Sequence, residues 1–266
     1  MSISLEYTFN ANDDICWAVA VQPQLHLMAT VSADKTCKIF DLRTRKLVAT
    51  LADDTHSKTT RCVSFKPSTE FPTVAVGSFD ATVSIWGRDL MEEKNAQRDE
   101  DTEKDFNSDS KSEIVGDNGW ELLAIIEGHE NEVKSVDWSY DGKYLATCSR
   151  DKSAWIWETD DTNEEFECIN VIQEHEQDIK EVKWHPSLNL LATSSYDETC
   201  RIFRQDTYDE DDWICVAKLT DAKGTVWCSD FEKDSKKNVV RLPAADVTEE
   251  SSFIKKKEIR VGNGQF

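Results

Sequence analysis

The chain has 266 residues, 39% of them hydrophobic, with nine Trp and eight Cys, which suffices for one large all-β domain or two ordinary ones. Its 52 Asp and Glu against 31 Lys and Arg give a formal net charge of −21. A surface this acidic repels phosphate backbones and anionic lipid, so no direct binding of nucleic acid or membrane is expected.

No apolar run approaches the roughly 20 residues of a membrane span. Residues 1–10 lack the basic and apolar regions of a signal peptide, so a reducing cytosolic or nuclear home is expected. Taken in chain order, the first segment alternates Leu5, Tyr7 and Phe9, as a strand does. Next comes VSADKTCKIF, ending at Phe40, and the same text returns as GSFDATVSIW ending at Trp86, CSRDKSAWIW ending at Trp157 and SSYDETCRIF ending at Phe203. In each copy an Asp stands six residues before the terminal aromatic: Asp34, Asp80, Asp151 and Asp197. Their spacings are 46, 71 and 46, and the long one holds the acidic stretch 87–119, which reads as a loop inserted between two repeats. Acidic runs at 158–167 and 206–212 read as solvated loops.

Upstream of three of these Asp residues stand His56, His129 and His175, and Asn12 takes the matching place in the first repeat. Only His129 follows a glycine, Gly128. Alternating strands such as VKSVDW, YLATCS and SAWIW lie between the marks. A fifth repeat begins with GTVWCSDF at 224–231, but Ala222 fills its His slot, and after Arg241 the repeat text stops.

A period of about 40–45 residues, with Gly-His early and Trp-Asp late, marks the four-stranded blades of a WD40 β-propeller. The expected fold is therefore all-β: blades over 1–241, an incomplete ring, and an aberrant or disordered tail over 242–266. Because an open arc leaves strand edges and apolar faces uncovered, the chain reads as a truncated or mis-spliced version of a longer, seven-bladed protein. Its tail would come from another frame or an intron, and Leu5–Phe9 would be the strand that clasps the last blade.

The residue types of the marks follow from hydrogen bonding. An Asp in the turn between second and third strands accepts bonds from turn amides and orients the incoming His. A hydroxyl four residues before the Asp (Thr30, Thr147, Thr193) bridges that His to the aromatic end. The expected structural sets are His56, Asp80 and Trp86, then His129, Thr147, Asp151 and Trp157, then His175, Thr193, Asp197 and Phe203. Repeat two departs, with Val76 in the hydroxyl position. A buried network of this kind is favourable when every member is satisfied, which makes these residues scaffold and not acid–base groups. His185, before Pro186, reads as a turn residue. Cys16, Cys37, Cys62, Cys148, Cys168, Cys200, Cys215 and Cys228 include no C-x-x-C pair and sit mostly in apolar strand-like runs, so they read as small buried hydrophobes and not as metal ligands. No nucleophile elbow, phosphate-cradling loop or zinc His pair occurs. Neither an enzyme nor a cofactor is expected.

Two positions of the repeat should project around the mouth of the central channel. One is the residue before the turn Asp: Ala33, Phe79, Arg150 and Tyr196. The other lies five residues after the His slot: Trp17, Arg61, Lys134, Lys180 and Trp227. None is acidic, four are cationic and four aromatic, a set suited to a peptide end carrying acid and aromatic groups. The acidic loop 87–119 reads as a solvated spacer that could also recruit a basic partner.

The run LLAIIEGHENEVKSVDWSYDGKYLATCSRDKSAWIWETD (122–160) closely resembles the yeast family of cytosolic iron–sulfur assembly WD-repeat proteins, as do VAVGSFDATVSIW (74–86), HPSLNLLATSSYDETCRIF (185–203), DDWICVAKL and GTVWCSDF. The resemblance covers about residues 5 to 241 apart from the acidic insertion. It implies a seven-bladed scaffold of the cytosolic iron–sulfur targeting complex that holds no cluster itself. Its implied partners are a small partner subunit, a large helical-repeat adaptor, a hydrogenase-like iron–sulfur factor and apoprotein clients of cytosol and nucleus, often ending in an acidic–aromatic tail. The Arg of SRDKS, Arg150, lies on the face where the resemblance places partners. Any partner of blades six and seven would find no counterpart here. The alternative is a generic WD40 interaction scaffold, such as a ubiquitin-ligase receptor or a chromatin-associated adaptor.

Overall fold

The computed structural model describes residues 5–52, 54–68, 70–88, 119–209 and 212–231, together with the backbone alone of 239–242, 244–246 and 257–260. Strands alternate with tight turns throughout these residues, and each run of four forms one antiparallel sheet in consecutive order. Blade 1 holds β1 (Cys16–Gln22), β2 (Leu27–Ser32), β3 (Cys37–Asp41) and β4 (Lys46–Leu51). Blade 2 holds β5 (Thr60–Phe65), β6 (Thr73–Ser78), β7 (Val83–Arg88) and β8 (Trp120–Ile126). Blade 3 holds β9 (Val133–Trp138), β10 (Tyr144–Ser149), β11 (Ala154–Thr159) and β12 (Phe166–Ile172). Blade 4 holds β13 (Ile179–Trp184), β14 (Leu190–Ser195), β15 (Cys200–Gln205) and β16 (Trp213–Leu219). A fifth unit begins with β17 (Val226–Ser229). Among the described residues this is an arc of a β-propeller that does not close into a ring.

The second strands show why the arc holds together. All six residues of β6, of β10 and of β14 are buried, because each of these strands is covered on both faces. The hydrophobic clusters correspondingly lie between blades. One joins Ile39 and Val31 of blade 1 to Val74 and Trp120 of blade 2, and the next joins Ile85 to Val133 and Trp157. A third joins Ile156 to Leu191 and Phe203, and a fourth joins Ile202 to Val226 and Phe231. Full burial of one such Ile contributes about 1.5–3 kcal/mol, and each contribution depends on the neighbouring blade being present. Outer strands read differently: β12 and β16 each bury a single residue and leave the rest exposed or part-covered, as strands with one wet face do.

Several sequence expectations take a different form here. Leu5–Phe9 is not a strand; Phe9 packs edge-on against Phe40 of blade 1 at 5.4 Å, Tyr7 lies edge-on to Phe9 at 4.8 Å, and Arg45 covers Tyr7 at 4.9 Å. The acidic insertion joins β7 to β8, so it interrupts one blade in space although it separates two repeats in sequence; residues 89–118 lie outside the described residues. The expected solvated loop at 158–167 is an exposed loop over 160–165 between the ends of β11 and β12; its one buried residue is Asn163, whose Oδ1 accepts from Lys66 of blade 2. Of the expected tail, Ala244–Asp246 (β19) pairs antiparallel with β17, and Lys257–Arg260 (β20) with Val239–Leu242 (β18). No helix among the described residues is long and apolar enough to cross a membrane.

Candidate docking face

The turn between second and third strands puts the residue after each repeat Asp in the left-handed region: Lys35 (φ 72°), Ala81 (76°), Lys152 (73°) and Glu198 (64°). That conformation costs roughly 1–2 kcal/mol in a residue with a Cβ. The Asp carboxylate offsets the cost by accepting the N–H two residues on, from Thr36 at 2.9 Å, Thr82 at 3.1 Å, Ser153 at 2.9 Å and Thr199 at 3.0 Å. Its other oxygen accepts from the amide of the incoming loop, at Asp13, Ser57, Glu130 and Glu176.

In blade 3 the network runs in one direction. Trp157 Nε1–H donates to Thr147 Oγ1 at 3.1 Å, the Thr147 hydroxyl donates to His129 Nε2 at 2.8 Å, and His129 Nδ1–H donates to Asp151 at 2.8 Å. The network itself assigns the ring proton to Nδ1. Burial pushes the Asp151 carboxyl up, but the bonds from His129 and Ser153 outweigh it and hold the group at about 2. Asp80 and Asp197 are lowered for the same reasons. Blade 4 repeats the arrangement through Thr193, His175 and Asp197 at 2.7 and 2.8 Å, with Phe203 in the indole's place.

Blade 2 keeps the chemistry and moves the hydroxyl. Val76 has none, but Ser84, its partner across β6 and β7, binds His56 Nε2 at 2.8 Å and accepts from Trp86 Nε1 at 2.8 Å. Ser84 was not visible as a network residue in the repeat pattern; the signal was a Ser two before the aromatic, beside the missing Thr. In blade 1 Asn12 accepts from the Thr30 hydroxyl at 2.9 Å and donates to Thr36 at 3.2 Å. The glycine before the His also has a local cause. A Cβ on Gly128 would come within 2.6 Å of the Trp155 ring, which stacks on Trp157. Blade 4 has Arg201 at the Trp155 position, and Glu174 in the glycine position pairs with it at 2.6 Å.

Seven of the nine predicted ring residues meet one another on this face; Ala33 and Arg150 are not among them. Arg61, Lys134, Lys180 and Trp227 line a single cleft of about 750 Å³ walled by the first strands of all five blades. Arg61 lies 5.1 Å over Trp17, Lys134 4.2 Å over Phe79, and Lys180 5.2 Å over Tyr196 and 5.3 Å over Trp227. The residues before the turn Asp are fixed by their own amides: Ala33, Phe79, Arg150 and Tyr196 donate to the carbonyls of Ile15, Thr59, Glu132 and Asp178. Those acceptors form a third ring position that the sequence pattern did not single out, and it brings in two acids. Arg150 pairs with Glu132 at 3.3 Å and Lys180 with Asp178 at 3.2 Å. The acid-free set of nine is thus neutralised in part by neighbours three residues after the His.

Deeper in the cleft, Asp137 of β9 accepts the Trp184 amide of the next blade at 2.9 Å and sits 3.4 Å from Lys183 Nζ. Glu181 accepts the Ser229 amide of β17; burial pushes its carboxyl up to about 7, against the pull of that amide and of Lys183. Half of the cysteines depart from the expected burial. Cys37, Cys62, Cys148 and Cys200 are buried, and burial pushes Cys62 and Cys200 up to about 12. Cys16, Cys168, Cys215 and Cys228 are exposed, on the wet faces of β1, of the outer strands β12 and β16, and of β17. No group of His, Cys, Asp and Glu able to hold a metal occurs among the described residues. His185 Nδ1 accepts the Ser187 amide at 3.2 Å, and its ring packs 4.9 Å from Phe231.

Repeated four-stranded blades stapled by His–Asp turns define a WD-repeat protein. The profile described as "WD domain, G-beta repeat" matches residues 3–41, 45–87, 120–158 and 166–204, and the chain belongs to that family. It is similar to curated fungal proteins named "Probable cytosolic iron-sulfur protein assembly protein 1". That of Candida dubliniensis is 52% identical over 246 residues, which cover 86% of this chain and 63% of the relative. That of Debaryomyces hansenii is 49% identical over 265 residues, covering 91% and 67%. That of Kluyveromyces lactis is 53% identical over 224 residues, covering 84% and 60%. The chain thus spans a little under two thirds of the length of the first of these relatives.

Proposed function

We propose that this chain is a non-catalytic scaffold of cytosolic iron–sulfur protein assembly, acting in the cytosol and nucleus within a targeting complex. Its partners are a small subunit, a large helical-repeat adaptor, a hydrogenase-like iron–sulfur factor and apoprotein clients. The similarity to named assembly proteins supports the pathway. The feature that supports docking is the cleft rim, where cations lie over aromatic rings at Arg61–Trp17, Lys134–Phe79 and Lys180–Tyr196. Such pairs present positive charge against an apolar wall, which suits a chain end with an acidic and an aromatic residue. The His–Asp networks are already satisfied internally and leave no free base for catalysis.

The test is binding of a peptide ending in Asp-Trp to the whole chain. Arg150→Glu places a second acid beside Glu132, and the dissociation constant should rise more than tenfold, about 1.4 kcal/mol. An unchanged constant removes the site. Copurification checks the pathway: a ubiquitin-ligase core, in place of iron–sulfur factors, would favour the generic scaffold.

A further inference from the structure

The cations of the rim differ in what neutralises them. Arg150 Nη1 reaches only one oxygen of Glu132, at 3.3 Å, and the other oxygen, Oε2, is buried without a hydrogen-bond partner among the described residues. Lys180 is held 3.2 Å from Asp178. Arg61 and Lys134 instead lie over Trp17 and Phe79, and neither forms an ion pair within 4 Å among the described residues, although the Glu132 and Asp178 carboxylates act on Lys134 from farther off. Both line the cleft, from the neighbouring first strands β5 and β9. A guanidinium stacked on an indole keeps an edge free for a carboxylate, and it loses less rotamer freedom on binding because the ring already orients it.

We propose, on the footing of the tail-binding reading above, that the incoming carboxylate is seated by Arg61 and Lys134, and that Arg150 is a positioning residue whose task is to neutralise Glu132. Arg150 screens a carboxylate that would otherwise repel the ligand. Trp17 and Phe79 hold the two seating cations in place. The carboxylate can come from the tail's acidic side chain or from its terminus.

Binding of a fluorescein-labelled peptide ending in Asp-Trp is followed by anisotropy with the whole chain, each variant first shown to keep its unfolding midpoint. Arg61→Ala and Lys134→Ala should each weaken binding at least tenfold. Arg150→Ala should also weaken it, and adding Glu132→Gln should return affinity to within threefold of the parent. Glu132→Gln should not rescue Arg61→Ala. Arg61 should cease to matter with either the C-terminally amidated peptide or the one ending in Asn-Trp, and that arm names the carboxylate; dependence retained with both overturns the seat. So does an Arg150→Ala/Glu132→Gln double variant no tighter than Arg150→Ala. Failure of the parent chain to bind at all sinks the tail reading itself, whereas binding with an unrescued Arg150 overturns only this assignment.

Discussion

Blades 2 and 3 solve one problem with different residues. Both need an oxygen that accepts from the terminal indole and satisfies His Nε2. Blade 3 supplies it from Thr147 on its second strand, and blade 2 from Ser84 on its third. The exchange works because Val76 and Ser84 are cross-strand partners, as are Thr147 and Trp155. Their side chains emerge on one face of the sheet, side by side. What the blade conserves is a hydroxyl at a point in space, not a residue at a position in the repeat. Freeing the third-strand position of that duty lets blade 3 place Trp155 there, and Trp155 in turn requires Gly128.

The largest effect that would break this equivalence is Ser84→Val. It strands His56 Nε2 and the Trp86 indole in the interior, and should cost about 2–3 kcal/mol in denaturant unfolding. Adding Val76→Thr restores a hydroxyl across the strand pair and should recover most of the loss; no recovery would mean the two positions are not interchangeable. A smaller effect sharpens the contrast on the blade 3 side. Gly128→Ala drives a methyl into Trp155 and should cost about 1–2 kcal/mol, and Trp155→Ser should relieve it, whereas Glu174→Ala in blade 4 should show no such clash.

The smallest effect concerns what the blades share. Asp151 has its folded value at about 2, below its value in the unfolded chain, so its contribution to stability is complete above the unfolded value near 4 and fades as pH falls toward 2. Thermal unfolding followed from pH 6 to pH 2.5 should therefore show Asp151→Asn losing less midpoint than the parent across that acid limb. An equal loss would remove the ionised carboxylate from the account.

Much of the fold was legible in the sequence because its marks are local. Asp34, Asp80, Asp151 and Asp197 sit in tight turns whose geometry involves residues two to six apart, so the repeat text reports them directly. The strands between them were legible as strands but not in their burial: YLATCS, read as alternating, is buried at all six positions. The cleft rim was legible only by position: counting from the His and Asp named Arg61, Lys134, Lys180 and Trp227, which do line one cleft. The pairing of Arg150 with Glu132 was not legible, because it depends on where two turns meet. Ser84 was missed for the same reason, since a strand partner eight residues away carries no mark of its own.

What the sequence by itself determined is therefore the repeating unit: four strands, a braced turn, a His returning to an Asp. The chemistry of each unit is closed within about 45 residues, and periodicity exposes it. The tertiary structure alone decided how units share their faces, which charges on the rim stay unneutralised, and that Glu181 is buried deeply enough for its carboxyl to rise to about 7. Those outcomes arise at contacts between blades, where burial and neighbouring charge are set by residues far apart in the chain.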